Sequence, residues 1–441
     1  MPKQPYNVTL SLLKGKYEKM FHIGKKAGVR RNEKVPMNKK LIGRRDFMRS
    51  TLAGFGGLFF LPLIRSRREM KVVETKGKEK KFIYRTLGKT GIKLPVIGMG
   101  MLQPGNPALI RAALDAGINH FDTTAAPGIQ TNNLKMFGEV ARGRTRESFV
   151  IGIKVHPPED PVAHLYKEGA TTEAFLEKFN YYLKLLDMEY VDVLYHHGVA
   201  RRESAFYEPI MKAMEKAKKD GKTRFLGIST HMNMPEVIQA AIDSNFYEVV
   251  IAAYNFRQKN QLEVKEAIAR ASRAGLGCIG IKAIRGGVEE KEPPSSTNAV
   301  AALKWVLQDS NISATIPGFS TFEQMNLDLS VMEDLSFTDS EKEYIQKQAF
   351  IPGLYCQGCG ECVKRCIAKL PIPDLMRAYM YCYGYRNFPL AQETILELGL
   401  PRHVCEDWRQ CPVKCTNGWN VSEKIREVAR LRDVPSGGSP V

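Results

Sequence analysis

From Phe82 to about Leu335 the chain repeats one unit, a short apolar run of strand length followed by a stretch with helical apolar spacing. The runs fall at Val96–Gly100, Ile118–Phe121, Phe149–Ile153, Val191–Tyr195, Thr223–Ile228, Val249–Ala252, Gly277–Ile281 and Ala314–Ile316. A strand that returns to its sheet through a helix must lie parallel to the one before it. Eight such units in about 250 residues have the size and rhythm of a closed (β/α)8 barrel, of the α/β class, with its chemistry at the C-terminal strand ends. A doubly wound sheet is the competing architecture, and it would carry fewer strands and a Gly-rich first turn, which is absent here. The barrel is expected over residues 82–340.

The chain has 441 residues and a formal net charge of +18, a balance that suggests nucleic acid or an anionic membrane if it is spread over the fold. It is not spread. Residues 1–85 hold 23 Lys and Arg against 6 Asp and Glu, and the remainder holds 42 against 41. The basicity belongs to a leader, and no stretch interleaves aromatic and basic residues as RNA-binding modules do, so no nucleic-acid partner is expected.

Cysteine usage is equally uneven. Of 9 Cys, only Cys278 precedes residue 350, in a strand where core packing explains it. Cys356, Cys359, Cys362 and Cys366 stand as C-x2-C-x2-C-x3-C, and an iron–sulfur domain is expected over 345–435. Disulfides and a zinc site compete with this assignment, but zinc motifs separate their C-x2-C pairs by longer gaps. Cys405, Cys411 and Cys415 repeat the spacing with Trp408 at the second position. The first run resembles bacterial ferredoxins, in which the fourth Cys of each run serves the other cluster. That resemblance implies one 4Fe-4S site from Cys356, Cys359, Cys362 and Cys415, and a second from Cys366, Cys405 and Cys411, one ligand short. The second then holds a 3Fe-4S cluster, or a 4Fe-4S cluster completed by Cys382 or a non-Cys ligand, or nothing. Tyr355, Tyr379, Tyr381, Tyr383 and Tyr385 read as packing around the clusters.

Gly43-Arg44-Arg45-Asp46-Phe47-Met48-Arg49, followed by the apolar Thr51–Ile64, resembles a twin-arginine export signal. The apolar stretch is short for a membrane span. Residues 37–65 are assigned to the signal, 1–36 to an upstream extension of uncertain status and 66–81 to a charged linker. The resemblance implies export of a folded protein, to the periplasm or, if the signal is retained as a tether, to the outer face of the cytoplasmic membrane.

The barrel resembles the aldo/keto reductases. The matches are Arg85-Thr86-Leu87-Gly88-Lys89-Thr90-Gly91 before the first strand, Phe121-Asp122-Thr123 after the second, Lys154 after the third, His197 after the fourth, Gly227-Ile228-Ser229 after the fifth and Tyr254-Asn255 after the sixth. In that family a Tyr protonates the substrate carbonyl beside Asp, Lys and His while NADPH supplies hydride. The resemblance implies catalytic roles for Asp122, Lys154 and His197, but Pro127 stands where the Tyr belongs, and a general acid contributes about 10²- to 10⁴-fold. It also implies NAD(P) binding through Ser229, Tyr254, Asn255, Gly318, Ser320 and Thr321, although the Arg that grips a 2′-phosphate is missing. Two functions follow. One is an oxidoreductase acting on a small organic substrate and exchanging electrons with a redox partner protein or carrier. The other is a non-catalytic electron-transfer or binding protein on a degenerate scaffold.

Overall fold

The computed structural model describes residues 81–102, 106–124, 129–284, 296–349, 354–401, 404–405 and 411–434. The twin-arginine segment, the upstream extension, nearly all of the linker, Pro127 and Trp408 lie outside the described residues.

A hairpin of β1 (Tyr84–Thr86) and β2 (Lys93–Pro95) precedes eight parallel strands: β3 (Met99–Gly100), β4 (His120–Thr124), β5 (Val150–Val155), β6 (Val191–His196), β7 (Thr223–Thr230), β8 (Val249–Ala253), β9 (Gly277–Ile281) and β10 (Ala314–Thr315). They pair in sequence order from β3 to β10. A parallel bridge between Ile97 and Thr315 brings the ends of the sheet together, so the sheet is closed as a barrel. Every expected strand is found. The second begins two residues later than expected and runs on through Asp122, because His120, Asp122 and Thr123 are polar yet buried.

Period-two alternation sorts each strand into two faces. Phe121, Ile151, Leu194, Ile228 and Val250 pack outward against the helices, and Val193, Tyr195, Ile251, Ile279 and Ile316 fill the lumen. The lumen core is continuous with Leu354, Tyr355, Met376, Tyr379 and Ile425 of the cysteine-bearing tail, and residues Lys76–Val441 form one compact unit. At the other end the Arg85 guanidinium donates to the carbonyls of Leu307, at the C-terminus of the helix Ser296–Leu307, and of Asp309 and Ile312 in the turn after it.

The tail is helical, as expected. The helix Ile372–Tyr379 runs into a π-turn, Met380–Gly384, and the helices Phe388–Glu397 and Val421–Ala429 pack beside it. Among the described residues no helix is long and apolar enough to cross a membrane.

Candidate functional site

Inward-facing positions at the strand ends build the site. Asp122 of β4 and Lys154 of β5, both buried, form an ion pair. His197 follows β6 directly, its backbone N–H donating to the Val155 carbonyl at 3.1 Å. The three residues carried over as catalytic therefore come together, with Lys154 electrostatically felt at His197. Two further histidines join them. The His156 ring lies 5.6 Å from that of His197, and the His231 ring 6.0 Å from it. Burial and the surrounding cations hold His197 and His231 well below the ordinary imidazole range, so both are neutral near pH 7. Burial first and Lys282 second pull the Lys154 ammonium down, while the paired Asp122 carboxylate works in the other direction.

Tyr195 lies beneath this group. Its ring occupies space that Gly152 and Gly227 leave open, since a Cβ at either would stand 2.6 or 2.3 Å from it. The same Gly152 position lies 3.0 Å from Asp122 Oδ2, so the Tyr195 ring and the carboxylate flank one glycine. Both the Tyr195 hydroxyl and Asp122 Oδ2 are buried without a hydrogen-bond partner among the described residues.

The residues assigned to a dinucleotide divide. Ser229 and Asn255 face inward, and Ser229 Oγ and Asn255 Nδ2 are buried without partners among the described residues. Tyr254 does not join them. Alternation turns it to the outer face, where its ring packs 4.9 Å from Trp305. Ser320 and Thr321 stand at the start of the helix Phe322–Glu333, engaged with Gln324: the Ser320 backbone N–H and hydroxyl donate to its side chain, and Thr321 Oγ1 accepts its backbone N–H at 3.2 Å. Gly318 lies against the backbone of Gly100.

The tail closes over the strand ends. Tyr355 donates to the His231 carbonyl, and Gly358, in the left-handed region at φ 65°, lies so close to Met232 that a Cβ would overlap its side chain. Tyr381 and Tyr385, set on one side by the π-turn, place their ring centroids 5.4 and 5.1 Å from Lys282 Nζ. These two rings thus pack on the barrel mouth, within the same core as the cysteines. Arg377, paired with Asp374 one turn before it, is felt electrostatically at His197, His231 and Lys282.

The cysteines influence one another electrostatically in two groups. Cys356 is acted on by Cys362, Cys415 and Cys359, and Cys405 by Cys411 and Cys366. Burial and the neighbouring sulfurs push the Cys356 and Cys362 thiols up, to about 12 and about 11. N–H donors from Gly358 to Cys356 and from Asn417 to Cys415 Sγ, the latter at 3.3 Å, already serve these sulfurs. Cys382 is acted on by Arg386 and Glu427. Cys278 is core, its thiol donating to the Ile268 and Leu276 carbonyls. Among the described residues no His, Cys, Asp or Glu side chains converge as a single metal ion would require.

His156, His231, Tyr195, Lys282 and Arg377 are the site residues that sequence reasoning missed. Alternation could have found the first three, each two residues from an assigned or inward position. Nothing local marks Arg377.

A closed parallel barrel with an acid–base cluster at its C-terminal strand ends defines a class of enzyme scaffold. Residues 97–300 match the aldo/keto reductase family. L-glyceraldehyde 3-phosphate reductase of Escherichia coli (strain K12) is 23% identical over 325 residues, covering 60% of this chain and 91% of the relative. L-galactose dehydrogenase of Arabidopsis thaliana is 24% identical over 307 residues, covering 60% and 93%. An aldo-keto reductase from Bacillus halodurans in its holo form shares the fold at a TM-score of 0.50 and 20% identity, covering 63% of this chain and 99% of its own.

Proposed function

We propose that this chain is an exported iron–sulfur oxidoreductase in which a small organic substrate occupies the barrel mouth and ferredoxin-type cysteines hold the electron carrier beside it. One observation carries the proposal: the residues on either side of Cys356 are docked on the end of β7, through Tyr355 on the His231 carbonyl and Gly358 on Met232. The names of the two relatives, a reductase of L-glyceraldehyde 3-phosphate and a dehydrogenase of L-galactose, support a small organic substrate.

The residues fit the group. The Cys356 and Cys362 thiols resist ionisation unless a cation takes them up, and backbone N–H groups already point at two of the sulfurs. Cys356, Cys359, Cys362 and Cys415 would hold a 4Fe-4S cluster, which supplies single electrons when bound. Cys366, Cys405 and Cys411 would hold a second, of three or four irons. Ser229 and Asn255, whose buried polar atoms lack partners, suit the carboxamide of a nicotinamide ring, so NAD(P) remains compatible with the lumen.

Around the substrate, Asp122 fixes Lys154, neutral His197 and His231 can donate one hydrogen bond each, and the tail keeps water away. Iron and acid-labile sulfide per chain, with low-temperature electron paramagnetic resonance, test the proposal. Both elements present in wild type and reduced in Cys359→Ser support it, and a chain purified anaerobically without them overturns it. Export is tested by changing Arg44 and Arg45 to Lys, which is expected to leave the protein in the cytoplasm; unchanged fractionation removes that element.

A second reading, an electron-transfer or binding protein without catalysis, is favoured by Pro127 in place of the family's Tyr. Reduced clusters that are never reoxidised by any small carbonyl compound, at any pH, would favour it.

A further inference from the structure

Three cations meet at the barrel mouth and two carboxylates serve them. Asp122 is committed to Lys154, and Asp374 to Arg377. Lys282 is left without a carboxylate among the described residues, covered by the Tyr381 and Tyr385 rings. Aromatic faces attract a cation but give its three N–H donors no acceptor. The backbone of Lys282 is itself unusual. It lies in the left-handed region at φ 61°, directly after β9, where a side chain other than glycine is strained. Strain and an uncompensated charge at the C-terminal end of a barrel strand are features that a structure retains for a ligand.

We propose that Lys282, backed by Arg377 from the tail, binds an oxyanion, a carboxylate or phosphate carried by the substrate. The proposal deepens the reading of the mouth as a substrate site and rests on it. Arg377 comes from the helix Ile372–Tyr379, so the cysteine-bearing tail contributes part of the specificity pocket as well as electrons. Lys282 faces Arg377, Tyr381 and Tyr385 from the tail and is felt at Lys154 and His231 of the barrel. None of these is an anion near pH 7, and the two carboxylates at the mouth, Asp122 and Asp374, are taken up by Lys154 and Arg377.

The test is calorimetric titration of full-length holoprotein with inorganic phosphate, with malonate and, separately, with NADPH. Saturable binding of phosphate or malonate is expected in wild type, at least tenfold weaker in Lys282→Met, with Lys282→Arg recovering most of it and Arg377→Gln weakening it. The same affinity in Lys282→Met as in wild type overturns the proposal, as does no saturable binding of either small anion. Weakened NADPH binding in Lys282→Met without small-anion binding assigns the charge to a cofactor phosphate and overturns the substrate form.

Should Lys282→Met fail to fold, wild type alone decides. Burial and Arg377 lower the Lys282 ammonium to about 7, so anion binding at pH 8 must take up protons, read as a buffer-dependent enthalpy. No uptake overturns the proposal. Because the readout is binding, a chain whose clusters are absent could still pass, and one whose clusters are intact could still fail.

Discussion

Tyr355 donates its phenolic hydrogen to the backbone carbonyl of His231 at 2.5 Å. The residue immediately before the first cluster cysteine is thereby fixed to a residue whose ring faces His197. Tyr355 is also buried in the core shared by lumen and tail, so its ring and its hydroxyl act on the same joint. Tyr355→Phe keeps the ring and removes the hydrogen bond, which is expected to cost about 1 kcal/mol. The loss should be local. Hydrogen exchange is expected to quicken at residues 354–366 and after β7 while the helices around the barrel stay protected; uniform quickening throughout would contradict a local joint.

The Gly358 backbone presses on Met232 in a conformation that an L side chain resists. Gly358→Ala is expected to cost about 1–2 kcal/mol for the left-handed backbone, with about 1–3 kcal/mol more for overpacking against Met232. Combining it with Met232→Ala relieves only the second part. A double-mutant cycle on chemical denaturation separates the two, and additive costs would show that Met232 does not meet the new methyl group.

Asp328, buried in the helix Phe322–Glu333, has its carboxyl pushed up to about 8 by burial alone. An unfolded Asp titrates near about 4. Between these values the folded chain holds a proton that the unfolded chain has released, so stability falls as pH rises from about 4 to about 8, by up to about 1.4 kcal/mol per pH unit from this group. Asp328→Asn cannot ionise. Its stability relative to wild type is therefore expected to grow across that window and to level off above it. Parallel denaturation curves at pH 5 and pH 8 would refute the shift.

The barrel was legible because its strands are buried on both faces and read as continuous apolar runs. The exception is instructive: β4 was placed too early because His120 and Asp122 are polar residues serving the lumen. Asp122, Lys154 and His197 were legible through a family pattern and do meet. Tyr254 was misplaced because the pattern fixes a position along the strand but not the face, and only alternation does that. Lys282 and Arg377 belong to segments about 95 residues apart, brought together by the docking of the tail, and no local sequence signal reports such a contact.

The deepest of the missed residues gives a last prediction. Tyr195 is fully buried in the lumen between Gly152 and Gly227, and its hydroxyl has no hydrogen-bond partner among the described residues. A buried hydroxyl without a partner costs about 1–3 kcal/mol relative to its place in water. Removing it while keeping the ring should therefore help: Tyr195→Phe is expected to hold or raise the melting temperature, where most core substitutions lower it. The hydroxyl is then retained against stability, beside Asp122, which also leaves Oδ2 unpartnered. If it is retained for chemistry, Tyr195→Phe loses turnover while gaining stability, with binding of small anions at Lys282 unchanged. A variant that is less stable and equally active would show instead that the hydroxyl is satisfied within the fold.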